Sequence, residues 1–121
     1  MYISDIVEYN ESDNEADILV SDGHYQLLCY VYPVKAISVK QNVRCISGFA
    51  CSNITRIRHN NYAAIKLSQY YAYELHAKVV SRKENVVSVG ALRIYLDTVI
   101  PGDICDNDCV SFSVMRLDAV L

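Results

Sequence analysis

The chain lacks tryptophan and holds only four glycines, two prolines and two phenylalanines among its 121 residues. It has no run approaching the ~18–20 apolar residues that a membrane-spanning helix requires. Its first 22 residues carry no lysine or arginine, so they do not match the basic start of a secretory signal. We therefore expect a cytoplasmic protein with no membrane partner.

The sequence also lacks the motifs of common catalytic sites. It contains no G-x-S-x-G elbow, P-loop, G-x-G-x-x-G fingerprint or H-E-x-x-H helix. The scarcity of glycine argues against a loop that cradles phosphate. The histidines, His24, His59 and His76, have no spacing that marks a catalytic triad. The sequence predicts a protein that is not an enzyme and uses no cofactor.

The five cysteines form an odd set, so at least one thiol is unpaired. Cys105 and Cys109 enclose two aspartates, an arrangement that offers ligands to a soft cation. Zinc sites, however, usually combine two C-x2-C pairs or add histidines at short spacing, and neither occurs here. Reduced thiols are the default in the cytoplasm. We predict five free thiols and no metal.

What the sequence does have is apolar residues that alternate with polar ones. This period of two is typical of strands with one buried face. Asp22-Gly23 predicts a hairpin between residues 18–20 and 25–31. The composition, 52% hydrophobic and 21% charged, fits one globular domain over residues 1–121. The predicted inward-facing residues are Leu27, Cys29, Val43, Val87, Leu92, Ile94, Val110, Phe112 and Val114.

One segment, residues 60–70, permits two interpretations. An asparagine cap followed by good helix formers favours a short helix. The same residues also alternate like a strand, with Ala63, Ile65 and Leu67 on one face. We expect the helix.

The chain also shows a faint internal repeat at an offset of 67 residues, in which Gly23 matches Gly90, Leu27 matches Ile94 and Val43 matches Val110. Short antiparallel strands need their edges closed or covered, and a small barrel does so economically. We predict an all-β fold, or a mainly β fold with one short helix, forming a small antiparallel barrel of one irregular sheet or two half-repeats. The order of elements resembles that of the OB-fold, in pattern only and without a family motif.

The formal net charge of −3 conceals a strong segregation of charge. Residues 1–22 carry −7, residues 35–93 carry +8 and residues 94–121 carry −4. Such asymmetry indicates a charged partner, unless the blocks balance one another within the molecule. In the basic block, aromatic residues lie among the cations, as in grooves that bind single-stranded nucleic acid. The predicted ligand-binding residues are Arg56, Arg58, Tyr62, Lys66, Tyr70 and Lys78.

Two functions remain open. The first is a non-enzymatic module for protein–protein interaction, such as an inhibitor or immunity-type partner that binds a basic protein through the acidic terminal segments. The alternative is an OB-like module that binds single-stranded nucleic acid through the basic middle. The overall negative charge opposes the approach of nucleic acid, so the first is favoured.

Overall fold

The computed structural model describes residues 1–121 and consists of strands joined by turns and loops, with no helix. It therefore contains no helix long and apolar enough to cross a bilayer. The strands are β1 (Tyr2–Asn10), β2 (Glu15–Ser21), β3 (Gln26–Val31), β4 (Cys45–Phe49), β5 (Ser52–Arg56), β6 (Ala63–Lys66), β7 (Tyr73–Ser81), β8 (Val86–Val89), β9 (Leu92–Leu96), β10 (Cys109–Val114) and β11 (Arg116–Val120).

The strands form one mixed sheet in the order β1-β2-β3-β11-β4-β9-β8-β7-β10-β5, with β6 paired to β7. The pairs β3–β11 and β4–β9 are parallel and the others are antiparallel. The predicted all-β class is confirmed. Closure into an antiparallel, OB-like barrel is not, because the path of strands ends at β1 and β5 and includes parallel pairs.

The helix expected within residues 60–70 is wrong. Residues 63–66 form β6 instead, in antiparallel register with β7 from Ala63 opposite His76 to Lys66 opposite Tyr73. The nine-residue β7 is longer than its neighbour β8, which pairs only with its last part. The edge left free satisfies the backbone groups of β6, and such tertiary pairing outweighs the small helix propensity of these residues.

The hairpin predicted around Asp22-Gly23 is confirmed as β2–β3. The last pair of its ladder is Ser21 opposite Gln26, so its loop has four residues. Gly23 adopts a φ of 97°, in the region that only glycine enters freely. The turn chemistry was therefore read correctly, although the loop is longer than the two-residue form.

The nine predicted inward-facing residues are all buried. They belong to a continuous core cluster of 27 residues to which most strands contribute. Phe112 and Leu92 are among its largest fully buried side chains. Alternation predicted the core because neighbouring side chains of a strand point to opposite faces.

Candidate functional site

The two predicted site arginines do not share a strand face. β5 ends at Arg56, and Arg58 lies in the loop that follows. The Nε of Arg56 donates to Asp108 at 3.2 Å, and its guanidinium also donates to the carbonyl of Asp103. Arg56 is thus engaged within the molecule, in the balance between basic and acidic segments that the charge pattern also allowed.

Tyr62 and Lys66 are likewise not one helical turn apart, since no helix forms. Tyr62 packs edge-on against Tyr25, with ring centroids 5.9 Å apart. The Nζ of Lys66 donates to the carbonyls of Leu67 and Gln69. These contacts commit both side chains to the packing of the β6–β7 region.

Lys78 and Tyr70 lie in different surroundings. Lys78 is a half-buried residue within β7, paired with both β8 and β10. Tyr70 is 52% exposed and stacks edge-on against Tyr71, which faces the acidic strands. The six predicted residues therefore do not assemble into one basic, tyrosine-bearing surface.

The structure instead brings together three carboxylates on β1 and β2. Glu8, Glu15 and Asp17 line a cavity of about 180 Å³, together with Asn10, Ala16 and Tyr71. Asp17 is only 9% exposed, whereas Glu8 is exposed at the rim. We call this cavity, lined by these six residues, the acidic pocket.

Two tyrosine hydroxyls donate to carboxylates of the acidic pocket. The hydroxyl of Tyr71 donates to Oδ1 of Asp17 at 2.6 Å, and that of Tyr30 donates to Oε2 of Glu15 at 2.7 Å. The two rings meet edge-on with centroids 5.9 Å apart. The hydrogen bond to Glu15 raises the pKa of Tyr30 to about 12, and burial together with Asp17 raises that of Tyr71.

The turn between β6 and β7 carries Tyr71 to the pocket. Leu67 and Ala72 close this turn with a 2.9 Å backbone hydrogen bond, and Lys66 holds its carbonyls. At the start of β7, the buried hydroxyl of Tyr73 accepts a hydrogen bond of 2.9 Å from the N–H of Leu28. The β6–β7 hairpin is thereby fixed against β2 and β3.

No cation of the chain neutralises the pocket. The ion pairs closer than 4.0 Å are Arg56–Asp108, His76–Glu74 and Arg116–Asp118, and none includes a pocket carboxylate. Glu8 also lies directly opposite Asp17 in the β1–β2 ladder. Like charges placed opposite one another destabilise a sheet, so this arrangement carries a cost in stability.

The chemistry of the pocket suits an organic cation. No group of three His, Cys, Asp or Glu side chains in the molecule is arranged to hold a metal ion. Carboxylate oxygens accept hydrogen bonds from ammonium or guanidinium groups, and tyrosine rings provide faces that attract cations.

The sequence gave one signal of this site. Seven acids without a single Lys or Arg in residues 1–22 implicated the acidic segment in binding. That segment's pocket residues were not singled out, because Tyr71 joins Asp17 across 54 positions of sequence.

Comparison of the chain with protein-family models, with curated proteins and with solved structures returns no match.

Proposed function

We propose that this protein is a binding module that captures a lysine or arginine side chain of a basic partner protein in the acidic pocket. One observation carries the proposal: Asp17 is nine-tenths buried, lines the cavity and has no cationic partner in the chain. Buried carboxylates are normally paired, because removal of a charge from water is costly. A cation supplied by a partner would offset that cost and the repulsion between Glu8 and Asp17.

A labelled oligolysine peptide tests this function by fluorescence anisotropy at low salt. We expect the wild-type protein to bind it and Asp17→Asn to weaken binding by about tenfold or more, the loss of ~1.4 kcal/mol or more that removal of one charged partner produces. Asparagine keeps an oxygen that can accept from the Tyr71 hydroxyl, so the fold is retained.

Asp13→Asn is the matched control, since Asp13 lies in the exposed turn between β1 and β2 and its removal changes the net charge equally. It should weaken binding only slightly. Equal losses in the two variants would show that net charge alone attracts the peptide, and the proposed pocket would then be rejected.

We propose further that the fold consists of two repeated halves offset by 67 residues. The two hairpins support this: Val20 pairs with Leu27 in β2–β3, and Val87 pairs with Ile94 in β8–β9. Adding 67 to each number of the first pair gives the second, so the hairpins have the same register.

The strands that precede these hairpins support the same relation. Tyr2 of β1 pairs with Ser21 and with Asn42. Lys78 of β7 pairs with Ser88 and with Cys109, which lie 67 residues after those two partners. One strand in each half is thus flanked by corresponding segments.

The same contacts favour a barrel-like closure of the first half. Val43 donates to the carbonyl of Met1, and Ile3 donates to that of Gln41. The segment that leads into β4 therefore borders the outer edge of β1, and the series β1, β2, β3, β11 and β4 returns to its starting strand.

A further inference from the structure

The acidic pocket lies at one end of a row of outward-facing side chains that crosses the sheet. In the strand registers, Asp17 is opposite Tyr30, Tyr30 is opposite Asp118 and Asp118 is opposite Ser47. Ser47 is in turn opposite Tyr95 of β9. Residues paired across neighbouring strands share a face of the sheet, so this row is continuous.

At the other end of the row lies a second cavity, of about 210 Å³. Phe49 and Tyr95 contribute exposed rings to it, 40% and 43% accessible respectively. We call it the aromatic groove; its lining residues are Ser47, Gly48, Phe49, Tyr95, Leu96 and Asp97.

Arg116 connects the two cavities. Its guanidinium carbon lies 4.9 Å from the ring centroid of Tyr30, which contacts the pocket, and 5.4 Å from that of Phe49 in the groove. Its Nε and Nη2 donate to the two carboxylate oxygens of Asp118 at 2.7 and 3.0 Å. The surface between the cavities is therefore flat-sided and neutralised, without a charge that would repel a bound chain.

The span between the two cavities sets the length of a ligand. Asp17 and Tyr95 lie four strands apart, which corresponds to about 19 Å at ~4.8 Å per strand. An extended peptide covers that distance in about six residues at ~3.3 Å per residue.

We propose that this face binds one extended segment of a partner protein, with a lysine or arginine side chain in the acidic pocket and an aromatic side chain in the aromatic groove, about six residues apart. The inference rests on the proposed function of the pocket and adds the second anchor and the spacing. The anionic pocket requires the positive charge of the partner, and the row of paired residues requires that both anchors lie on one face.

Three synthetic peptides test the spacing. The first has a lysine and a tryptophan six positions apart in a glycine–serine chain, the second replaces the tryptophan with alanine, and the third places the two side chains two positions apart. Binding is followed by the backbone amide shifts of the protein in NMR titrations. Signals of Asp17 and Tyr71 report the pocket, and those of Gly48 and Phe49 report the groove.

We expect all three peptides to shift the pocket signals and only the first to shift both sets. Its affinity should exceed that of the alanine peptide by at least about tenfold, because the second contact forms within one molecule. The double variant Phe49→Ala, Tyr95→Ala should lose this gain and keep the binding of the alanine peptide. Val99→Ala, at a 75% exposed apolar residue outside the row, should change neither.

The outcomes separate the two proposals. If the first peptide binds no better than the other two, or shifts signals elsewhere than the groove, the two-anchor surface is rejected while the cation pocket stands. If no peptide shifts the signals of Asp17 and Tyr71, the pocket itself is rejected.

Discussion

Asp22 links two hairpins through backbone hydrogen bonds. One carboxylate oxygen accepts from the N–H groups of His24 and Tyr25, and the other accepts from Ala91 in the β8–β9 turn, each at 2.8 Å. Burial opposes ionisation of this group, but the N–H donors outweigh it and lower the pKa of Asp22 below 3.8. The ionised carboxylate is therefore bound more tightly in the folded protein than in the unfolded chain.

Replacement of Asp22 with asparagine should lower the free energy of unfolding by ~1–3 kcal/mol at pH 7, because a charged acceptor of three hydrogen bonds is lost. The difference should be full above pH 3.8 and disappear as the pH falls below that value and the wild-type carboxylate takes up a proton. Urea unfolding of both proteins at pH 7 and near pH 2.5 measures it. A difference that is equal at both pH values would contradict this role.

The cysteines differ in their expected reactivity. Cys105 is exposed, whereas Cys29 is fully buried and its pKa is raised by that burial. Burial likewise raises the pKa of Cys51 to about 12. Because the thiolate is the reactive form, Cys29 and Cys51 should be protected in the folded protein.

Titration with a chromogenic disulfide reagent at pH 8 tests this order. The folded protein should show a fast phase that Cys105→Ser removes, and the protein in denaturant without reductant should release five thiols. A fast phase that survives in Cys105→Ser, or a total below five, would show that the assignment is wrong.

Among the structural elements, the β8–β9 hairpin depends most on one residue. Val89 and Leu92 pair directly, so Gly90 and Ala91 alone form the turn. Gly90 has a φ of 59°, and a Cβ at this position would lie 2.6 Å from Cδ2 of Tyr25. The turn therefore requires glycine both for its backbone conformation and for its contact with the β2–β3 loop.

Gly90→Ala should cost at least ~2 kcal/mol, from the left-handed conformation together with the forced displacement of Tyr25. Gly102→Ala is the control, because a Cβ there meets no atom within 4 Å. Urea unfolding midpoints compare the two. Equal midpoints would mean that the hairpins do not meet as described.

Local patterns predicted the elements better than their arrangement. Alternation and turn residues identified the β2–β3 hairpin and the buried face of β10, because both depend on neighbours in sequence. The identity of residues 63–66 depended on the free edge of β7, which no local pattern reveals. The pocket depended on the Tyr71–Asp17 contact for the same reason.

For the molecule as a whole, the two termini lie side by side. Val43 donates to the carbonyl of Met1, and the next residue, Arg44, donates to that of Val120. Joining the ends by a short glycine–serine linker should therefore preserve both contacts. New ends between Asn60 and Asn61 would open an exposed loop outside every strand.

Such a circular permutant should fold with a free energy of unfolding within about 2 kcal/mol of the parent, since chain ends that lie close together tolerate rejoining. Urea unfolding provides the comparison. A permutant that fails to unfold cooperatively would contradict the proposed division into two halves, each of which this cut leaves intact.

The molecule places its unpaired negative charge in a cavity and ties down two of the predicted cations, Arg56 and Lys66, by internal contacts. The most direct measurement compares a labelled oligolysine peptide with a labelled single-stranded oligonucleotide by anisotropy against the same wild-type protein at low salt. We predict that the peptide binds, that its affinity falls as salt is added and that the oligonucleotide does not bind. Binding of the oligonucleotide without binding of the peptide would contradict the acidic pocket as the functional site and restore the basic middle of the chain.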